Sequence, residues 1–254
     1  MFWFFWNKFK LRASKDEIWT VRQLLINFHG AFNWRAYDAD KEISKEARLL
    51  FQEGLQLWSN NNIEWALIKF KQALIIEENW AYLNYEIWYT YWLLANYDEA
   101  LKYYKKVMDI ESRWFFSVIT ETYILTKVID NKYSKEVYKK YIEIYDTPIG
   151  TVKEWLCKIF IEKHPGINII YPIYLETLIF NLNLEEASKI IEKLDWIEID
   201  IDSKMYIKLS QSLYYILLWN KKEAYSCLFW IYRMDTSRGI DNLADYINQN
   251  LIKQ

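Results

Sequence analysis

A 34-residue repeat constrains the fold of this 254-residue chain more than any other feature of its sequence. The segments NNNIEWALIKFKQAL (60–74) and LANYDEALKYYKKVM (94–108) align on Ala66 and Ala100, which are 100 − 66 = 34 residues apart. In both segments the alanine is followed by apolar residues at spacings of four and three, which share one face of a helix. The pattern predicts two copies of a helix that each pack closely against the helix before them.

The preceding segment of each repeat also has helical character, and Gly54 lies in the first of them. Residues 47–114 therefore resemble the tetratricopeptide repeat family, whose units of 34 residues each form a pair of helices. The resemblance implies an all-α fold, a right-handed α-solenoid of stacked antiparallel helix pairs. Outside residues 47–114 the family pattern is degenerate.

We divide the chain into four segments on this basis. They are an aromatic and basic tail (1–13), an N-terminal helical segment (14–45), tetratricopeptide-like repeats (46–145) and divergent helical repeats that continue the solenoid (146–254). Ser14 and Glu17 form a capping box that predicts the start of the N-terminal helix. We expect this helix to end near His29–Gly30.

The divergent part of the chain retains signs of second helices. LNLEEASKIIEKL (182–194) and WNKKEAYSCLF (219–229) resemble the second helices of the repeat units. Thr147–Pro148 predicts the start of another helix, because proline is favoured at a first helical position. His164–Pro165–Gly166 predicts its end. WIEIDID (196–202) is interpreted as a connection between repeats.

Tryptophan and glycine are present in unusual numbers, 14 and 5. Trp88 stands where the preceding unit has Gly54, since 88 − 54 = 34. An indole there would overpack the contact between the helices and destabilise the fold by roughly 1–3 kcal/mol. Trp34, Trp196 and Trp219 stand where turn chemistry favours glycine. One hypothesis is that many of these tryptophans are UGA-encoded glycines translated with a table that reads UGA as tryptophan. The alternative is an aromatic-rich protein whose indoles pack between helices.

The family resemblance implies a concave groove lined by side chains of the first helices. The implied peptide-binding residues are Phe51, Tyr82, Tyr85, Tyr89, Trp92, Phe116 and Tyr123. Independently of the family, spacings of three and four place the three tyrosines on one helical face. Phe51 and Leu55 replace the Lys and Asn of the family's carboxylate clamp, so chaperone C-terminal tails are disfavoured as ligands. Alternatively, this stripe packs against the N-terminal helix or another subunit.

No catalytic or metal-binding motif is present in the sequence. Cys157 and Cys227 match no metal or redox spacing, and His29 and His164 lie at predicted helix ends. Phosphate-binding glycine loops are also missing. We therefore expect a non-enzymatic, cofactor-free cytoplasmic scaffold that binds a protein or peptide partner.

The charge and the N-terminal segment bear on other partners. A formal charge of −2 does not favour nucleic acid, and the chain has no apolar run of about 18 residues. In residues 1–12 aromatic side chains lie beside Lys8, Lys10 and Arg12, as in interfacial anchors. The alternative function is a membrane-peripheral assembly factor that is tethered by residues 1–12 and uses the solenoid as a docking arm.

Overall fold

The computed structural model describes residues 9–36, 42–110, 115–197, 201–234 and 240–253, with the backbone alone for residues 27–36, 115–120 and 201–202. Within these ranges all regular secondary structure is helical. The α-helices are α1 (Lys15–Ala36), α2 (Lys45–Ser59), α3 (Ile63–Ile76), α4 (Ala81–Leu93), α5 (Tyr97–Ile110), α6 (Phe115–Ile129), α7 (Lys135–Asp146), α8 (Thr151–Lys163), α9 (Ile170–Phe180), α10 (Leu184–Leu194), α11 (Ile201–Leu217), α12 (Lys221–Tyr232) and α13 (Ile240–Ile247). A π-helical turn, Asn248–Ile252, follows α13.

The helices form two compact bodies. The repeat body comprises the described residues of 29–135, and the terminal body comprises those of 1–28 and 136–254. In the repeat body each helix from α2 to α6 packs against the next, and in the terminal body the same holds from α8 to α13. Helix α9 also contacts α11, as expected when successive helix pairs stack. The prediction of an all-α fold built from consecutive helix pairs is confirmed, whereas the bounds of the four sequence segments stay a prediction.

The two predicted repeat units are the pairs α2/α3 and α4/α5. Their second helices bury the same face, and every residue of that face is fully inaccessible to solvent. The face consists of Ala66, Phe70 and Ala73 in α3 and of Ala100, Tyr104 and Val107 in α5. Because alanine lets two backbones approach closely while the larger side chains fill the remaining space, a 34-residue period produces the same contact twice. Residues 47–110 thus have the tetratricopeptide-like organisation that their sequence predicts.

One type of turn joins the two helices of successive pairs. Its central residue has a positive φ of 55–61° at Asn61, Ala95, Asn131, Leu182 and Trp219. The amide of that residue donates to the carbonyl three residues earlier, and the next amide donates to the carbonyl five residues earlier. This is the Schellman arrangement, which satisfies carbonyls that a helix C-terminus would otherwise leave unpaired.

An asparagine and an alanine mark four of these five turns. Asn62, Asn96, Asn183 and Asn220 directly follow the residue of positive φ, and four residues later comes a fully buried alanine: Ala66, Ala100, Ala187 and Ala224. Two of the asparagines, Asn96 and Asn220, accept a hydrogen bond from the amide three residues on, as N-caps do. Helices α10 and α12 therefore follow the same turn as the second helices of the repeat pairs, and their interpretation as second helices of divergent repeats stays a prediction.

The N-terminal helix is longer than predicted. The capping box is present, with the Ser14 amide donating to Glu17 Oε2 over 2.8 Å. Helix α1 then continues past Gly30 to Ala36, so the expected end near His29–Gly30 is wrong, as is the expectation of a turn at Trp34. A glycine inside a helix costs only about 1 kcal/mol relative to alanine, too little to end a helix whose other residues favour it.

The predicted helix start at Thr147–Pro148 is also wrong, whereas the predicted end of that helix is confirmed. The Thr147 hydroxyl donates to the Glu143 carbonyl over 2.7 Å and so extends the end of α7. Helix α8 begins three residues after Pro148, preceded by Gly150 with a φ of 154° that side chains disfavour. It ends at Lys163, immediately before His164–Pro165–Gly166.

Trp88 and Gly54 occupy equivalent positions against equivalent rings. A Cβ added to Gly54 would lie 2.4 Å from Phe70 Cε1, so this contact has no room even for a methyl group. In the next unit the Trp88 and Tyr104 ring centroids are 3.9 Å apart. Aromatic pairs usually have centroid separations of about 4.5–7 Å, so these two rings are unusually close. Among the described residues, neither the Trp88 indole N–H nor the Tyr104 hydroxyl has a hydrogen-bond partner. The first unit therefore favours a residue as small as glycine at position 88.

The backbone at Trp219 also favours glycine. Its φ is 60°, in the left-handed region that costs an L-residue roughly 1–2 kcal/mol. The indole is 62% exposed, so packing offsets little of this cost. Trp196 is likewise exposed, in the turn after α10. These observations agree with the recoding hypothesis, which stays a hypothesis.

We expect peptides that span positions 88 and 219, taken from protein made in its own host, to have the masses of glycine rather than tryptophan at both positions. The corresponding codons should then be UGA. The measurement is mass spectrometry of proteolytic peptides together with the gene's codons. Tryptophan masses with UGG codons at both positions would show that the α4/α5 pair is built around an indole.

Candidate binding face

Helix α4 has an aromatic face opposite its buried face. Successive members of the set Tyr82, Tyr85, Glu86 and Tyr89 are one or three residues apart, so all four fall on one side of the helix, and all are half-buried. On the other side lie fully buried or nearly buried residues, including Leu83, Ile87 and Tyr91. Packing against α3 and α5 therefore fixes the rotation of α4 about its axis and determines which side chains form the aromatic face.

Two ring contacts connect α4 with α2, the first helix of the preceding unit. The ring centroids of Phe51 and Tyr82 are 5.2 Å apart with an edge-to-face geometry, and those of Trp58 and Tyr89 are 5.8 Å apart. Phe51 is only 6% exposed, and its ring also lies 4.8 Å from that of Trp80. Phe51 therefore supports the aromatic face from below, while Tyr82 and Tyr89 form part of its surface.

Further contacts extend the aromatic face along α4. The Tyr89 and Trp92 rings stack with centroids 5.3 Å apart, and Tyr85 lies 5.0 Å from the Trp88 ring. Aromatic pairs at such distances contribute about 0.5–1.5 kcal/mol each beyond the area that they bury. The described contacts thus hold five of the predicted groove residues, Phe51, Tyr82, Tyr85, Tyr89 and Trp92, on or beneath the aromatic face.

The two predicted residues of α6 are less well placed by the structure. Phe116 lies in α6, but its side chain is outside the described residues. Tyr123 is half-buried, and the Lys127 ammonium lies 4.9 Å from the centre of its ring, within cation–π range. Participation of Phe116 and Tyr123 in a groove stays a prediction.

Glu86 is a component of this face that the sequence analysis missed. Burial raises the pKa of its carboxyl to about 7, although the neighbouring Tyr82 hydroxyl favours the ionised form. Among the described residues, no cationic side chain pairs with it. A carboxyl group in an aromatic environment without a countercharge is costly to ionise, so Glu86 is the electrostatically unusual group of the aromatic face.

Trp58 was also missed, although the sequence contains a signal for it. It precedes Trp92 by 92 − 58 = 34 residues and is therefore the same position of the preceding unit. Its ring contact with Tyr89 follows from that equivalence. Under the recoding hypothesis both indoles would be absent, and the tyrosines with Glu86 would then make up the exposed part of the face.

The terminal body contains a separate buried polar cluster. Lys153 Nζ on α8 donates to the Tyr145 carbonyl over 2.8 Å, and the Tyr206 hydroxyl on α11 donates to the Glu176 carboxylate on α9. Burial lowers the pKa of Lys153, against the attraction of Glu176. The cluster joins α7, α8, α9 and α11, which is a structural role.

The chemistry available to this cluster is limited. Burial raises the pKa of the nearby Cys157 thiol to about 12, so the nucleophilic thiolate is scarce at neutral pH. In the described ranges, no group of three or more His, Cys, Asp or Glu side chains is arranged to hold a metal ion. Burial likewise raises the pKa of the Tyr206 phenol.

Residues 12 and 13 are attached to the end of α11. The amides of Arg12 and Ala13 donate to the Leu217 carbonyl over 2.9 and 3.1 Å, and Arg22 Nε donates to the Phe180 carbonyl over 3.0 Å. Residues 1–8 of the proposed membrane tether lie outside the described residues, so the tether stays a prediction. Along the described part of the chain, no helix has both the length and the apolarity needed to cross a membrane.

No protein-family model matches the chain, and no curated protein matches it. Among solved structures, it is similar to a tetratricopeptide repeat protein from Parabacteroides merdae at 12% identity, over 93% of this chain and 98% of that one, with a TM-score of 0.37. The tetratricopeptide-like organisation of residues 47–110 accordingly rests on this chain's own 34-residue period and on the helix pairs that it produces.

Proposed function

We propose that this chain is a non-enzymatic interaction protein whose aromatic face on α4 binds a peptide or a helix of a partner protein. The observation that carries the proposal is the set of half-buried tyrosines, Tyr82, Tyr85 and Tyr89, on the side of α4 opposite the core. Tyrosine offers a large contact area at low entropic cost, and its hydroxyl keeps the face hydrated before binding. The occupant is a segment with apolar anchors.

The ring contacts beneath the face support this proposal. Phe51 and Trp58 hold Tyr82 and Tyr89 from the neighbouring unit, so these two tyrosines are ordered before a partner arrives. Ordering side chains at an interface costs about 0.5–1.5 kcal/mol for each flexible side chain, and a face that is already ordered avoids part of this cost. Such preorganisation is useful in a binding face.

The double variant Tyr85→Ala/Tyr89→Ala should lose the partners that the unaltered protein captures. Both side chains are half-buried, so their removal takes contact area from the face while the core residues Leu83 and Ile87 stay in place. The measurement is a pull-down from the native host with quantitative mass spectrometry. Circular dichroism should show unchanged helicity, which separates loss of binding from loss of folding.

The terminal body offers a matched control. Tyr225 and Phe229 on α12 are 43% and 49% exposed, and their rings stack with centroids 6.2 Å apart. The control variant Tyr225→Ala/Phe229→Ala removes a comparable aromatic pair away from α4 and should keep every partner. Retention of all partners by the α4 double variant would show that the binding face has been placed on the wrong surface.

A further inference from the structure

We propose that Glu86 makes the aromatic face selective for partner segments that place an arginine side chain on α4. This inference rests on the proposed function, since it names the partner chemistry that the same face selects.

Glu86 lies within the tyrosine stripe itself. It is four residues after Tyr82 and three before Tyr89, so both neighbours lie on its side of the helix. The equivalent residue of the preceding unit is Gln52, since 86 − 52 = 34, and it is exposed. The carboxyl group is therefore a feature of α4 that the repeat does not require.

Among the described residues, no cation compensates the charge of this carboxylate. Removal of a carboxylate from water is costly unless a cation or hydrogen bonds compensate it. The described surroundings of Glu86 supply the Tyr82 hydroxyl but no cation. A bound partner that supplies a positive charge offsets the free-energy cost of keeping this carboxylate ionised.

Arginine is the cation that best suits these surroundings. Its planar guanidinium stacks on aromatic rings and donates two parallel hydrogen bonds to one carboxylate. Tyr82 and Tyr89 supply rings on either side of Glu86, so one guanidinium can contact a ring face and the carboxylate together. Lysine supplies the charge without the planar fork, which makes it the weaker ligand.

Proton uptake and release give a second readout. Arginine binding stabilises the ionised form of Glu86, whose pKa is about 7 in the free protein. Binding near neutral pH therefore releases a proton, and affinity rises as the pH increases through about 7. Among the described residues, the titratable side chain that faces Glu86 is Tyr82.

The experiment selects ligands for the full-length protein from a random peptide library displayed on phage. Selection on the unaltered protein should enrich peptides that contain arginine, and selection on Glu86→Gln should not enrich arginine. One enriched peptide is then synthesised with arginine, lysine or citrulline, its uncharged isostere. Fluorescence anisotropy should show that citrulline weakens binding about tenfold or more to the unaltered protein and has almost no effect on binding to Glu86→Gln.

The control and the outcomes separate this inference from the proposed function. Glu64→Gln removes an exposed carboxylate from α3 and should retain the arginine preference. If the enriched peptides lack arginine and fail to bind Tyr85→Ala/Tyr89→Ala, the role of Glu86 is overturned while the aromatic face stays the binding site. Failure to enrich any peptide would overturn both. Equal binding of the arginine and citrulline peptides decides against Glu86 even if Glu86→Gln folds poorly.

Discussion

Replacement of Lys153 by Met should destabilise the protein by about 3–5 kcal/mol. Lys153 is 7% exposed and Glu176 is 4% exposed, so both charges lie in the interior of the terminal body. Met retains most of the volume of the lysine side chain but removes its charge and the 2.8 Å hydrogen bond to the Tyr145 carbonyl. The Glu176 carboxylate then keeps the hydrogen bond from Tyr206 but loses the electrostatic attraction of the Lys153 ammonium. Urea unfolding monitored by circular dichroism measures the loss.

A second substitution separates charge from packing. In Lys153→Met/Glu176→Gln no buried charge of this pair remains, so the double variant should recover much of the stability that the single variant loses. Lys158→Met provides a matched control on the same helix, because the Lys158 side chain is 46% exposed, and the ion pair of an exposed lysine, here with Glu154, contributes at most about 1 kcal/mol. A Lys153→Met variant no less stable than Lys158→Met would mean that the buried pair contributes nothing to stability.

Replacement of Gly54 by Ala should destabilise the repeat body by at least about 1–3 kcal/mol, the usual cost of an overpacked core. The new methyl group would lie 2.4 Å from Phe70 Cε1 and 2.6 Å from Cδ1. The Phe70 ring is fully buried, so it has no solvent-filled space to move into. In an ordinary helix the same substitution would stabilise the protein, because alanine is the better helix former. The expected sign therefore depends on the tertiary contact.

Two comparisons test this explanation. Gly166→Ala is the matched control, since a Cβ there meets nothing within 4 Å, and it should change stability little. Phe70→Leu shortens the side chain that faces Gly54, so Gly54→Ala should cost less in that background than in the unaltered protein. An increase in stability on Gly54→Ala alone would contradict the close contact, and with it the main structural argument for glycine at position 88.

Helix ends that depend on nearby residues were predictable from the sequence. The capping box at Ser14–Glu17 and the stop at His164–Pro165–Gly166 each rest on backbone chemistry within a few residues, and both are present. At Thr147–Pro148 the nearby residues were not sufficient to predict a helix start. Proline is compatible with a helix start but equally with the residues after a helix, and here the Thr147 hydroxyl completes α7 instead.

The candidate site was predictable in part, for a related reason. Helical spacing alone puts Tyr82, Tyr85 and Tyr89 on one face, whatever the rest of the molecule does. That Phe51 lies beneath the face rather than on it is decided by its neighbours Trp80 and Phe70. Glu86 was invisible for the same reason, because its raised pKa comes from burial, which no local pattern of residues specifies.

The sequence by itself determined the repeating helix pair. The 34-residue period, the alanine of each second helix and the asparagine after four of the five turns all act through neighbouring residues, so they can be recognised without coordinates. Tertiary structure decided which side of α4 meets the core, and it decided that Lys153 and Glu176 share one buried cluster. These properties depend on distances between residues far apart in the chain and on the exclusion of water from between them, and only packing of the helices sets either.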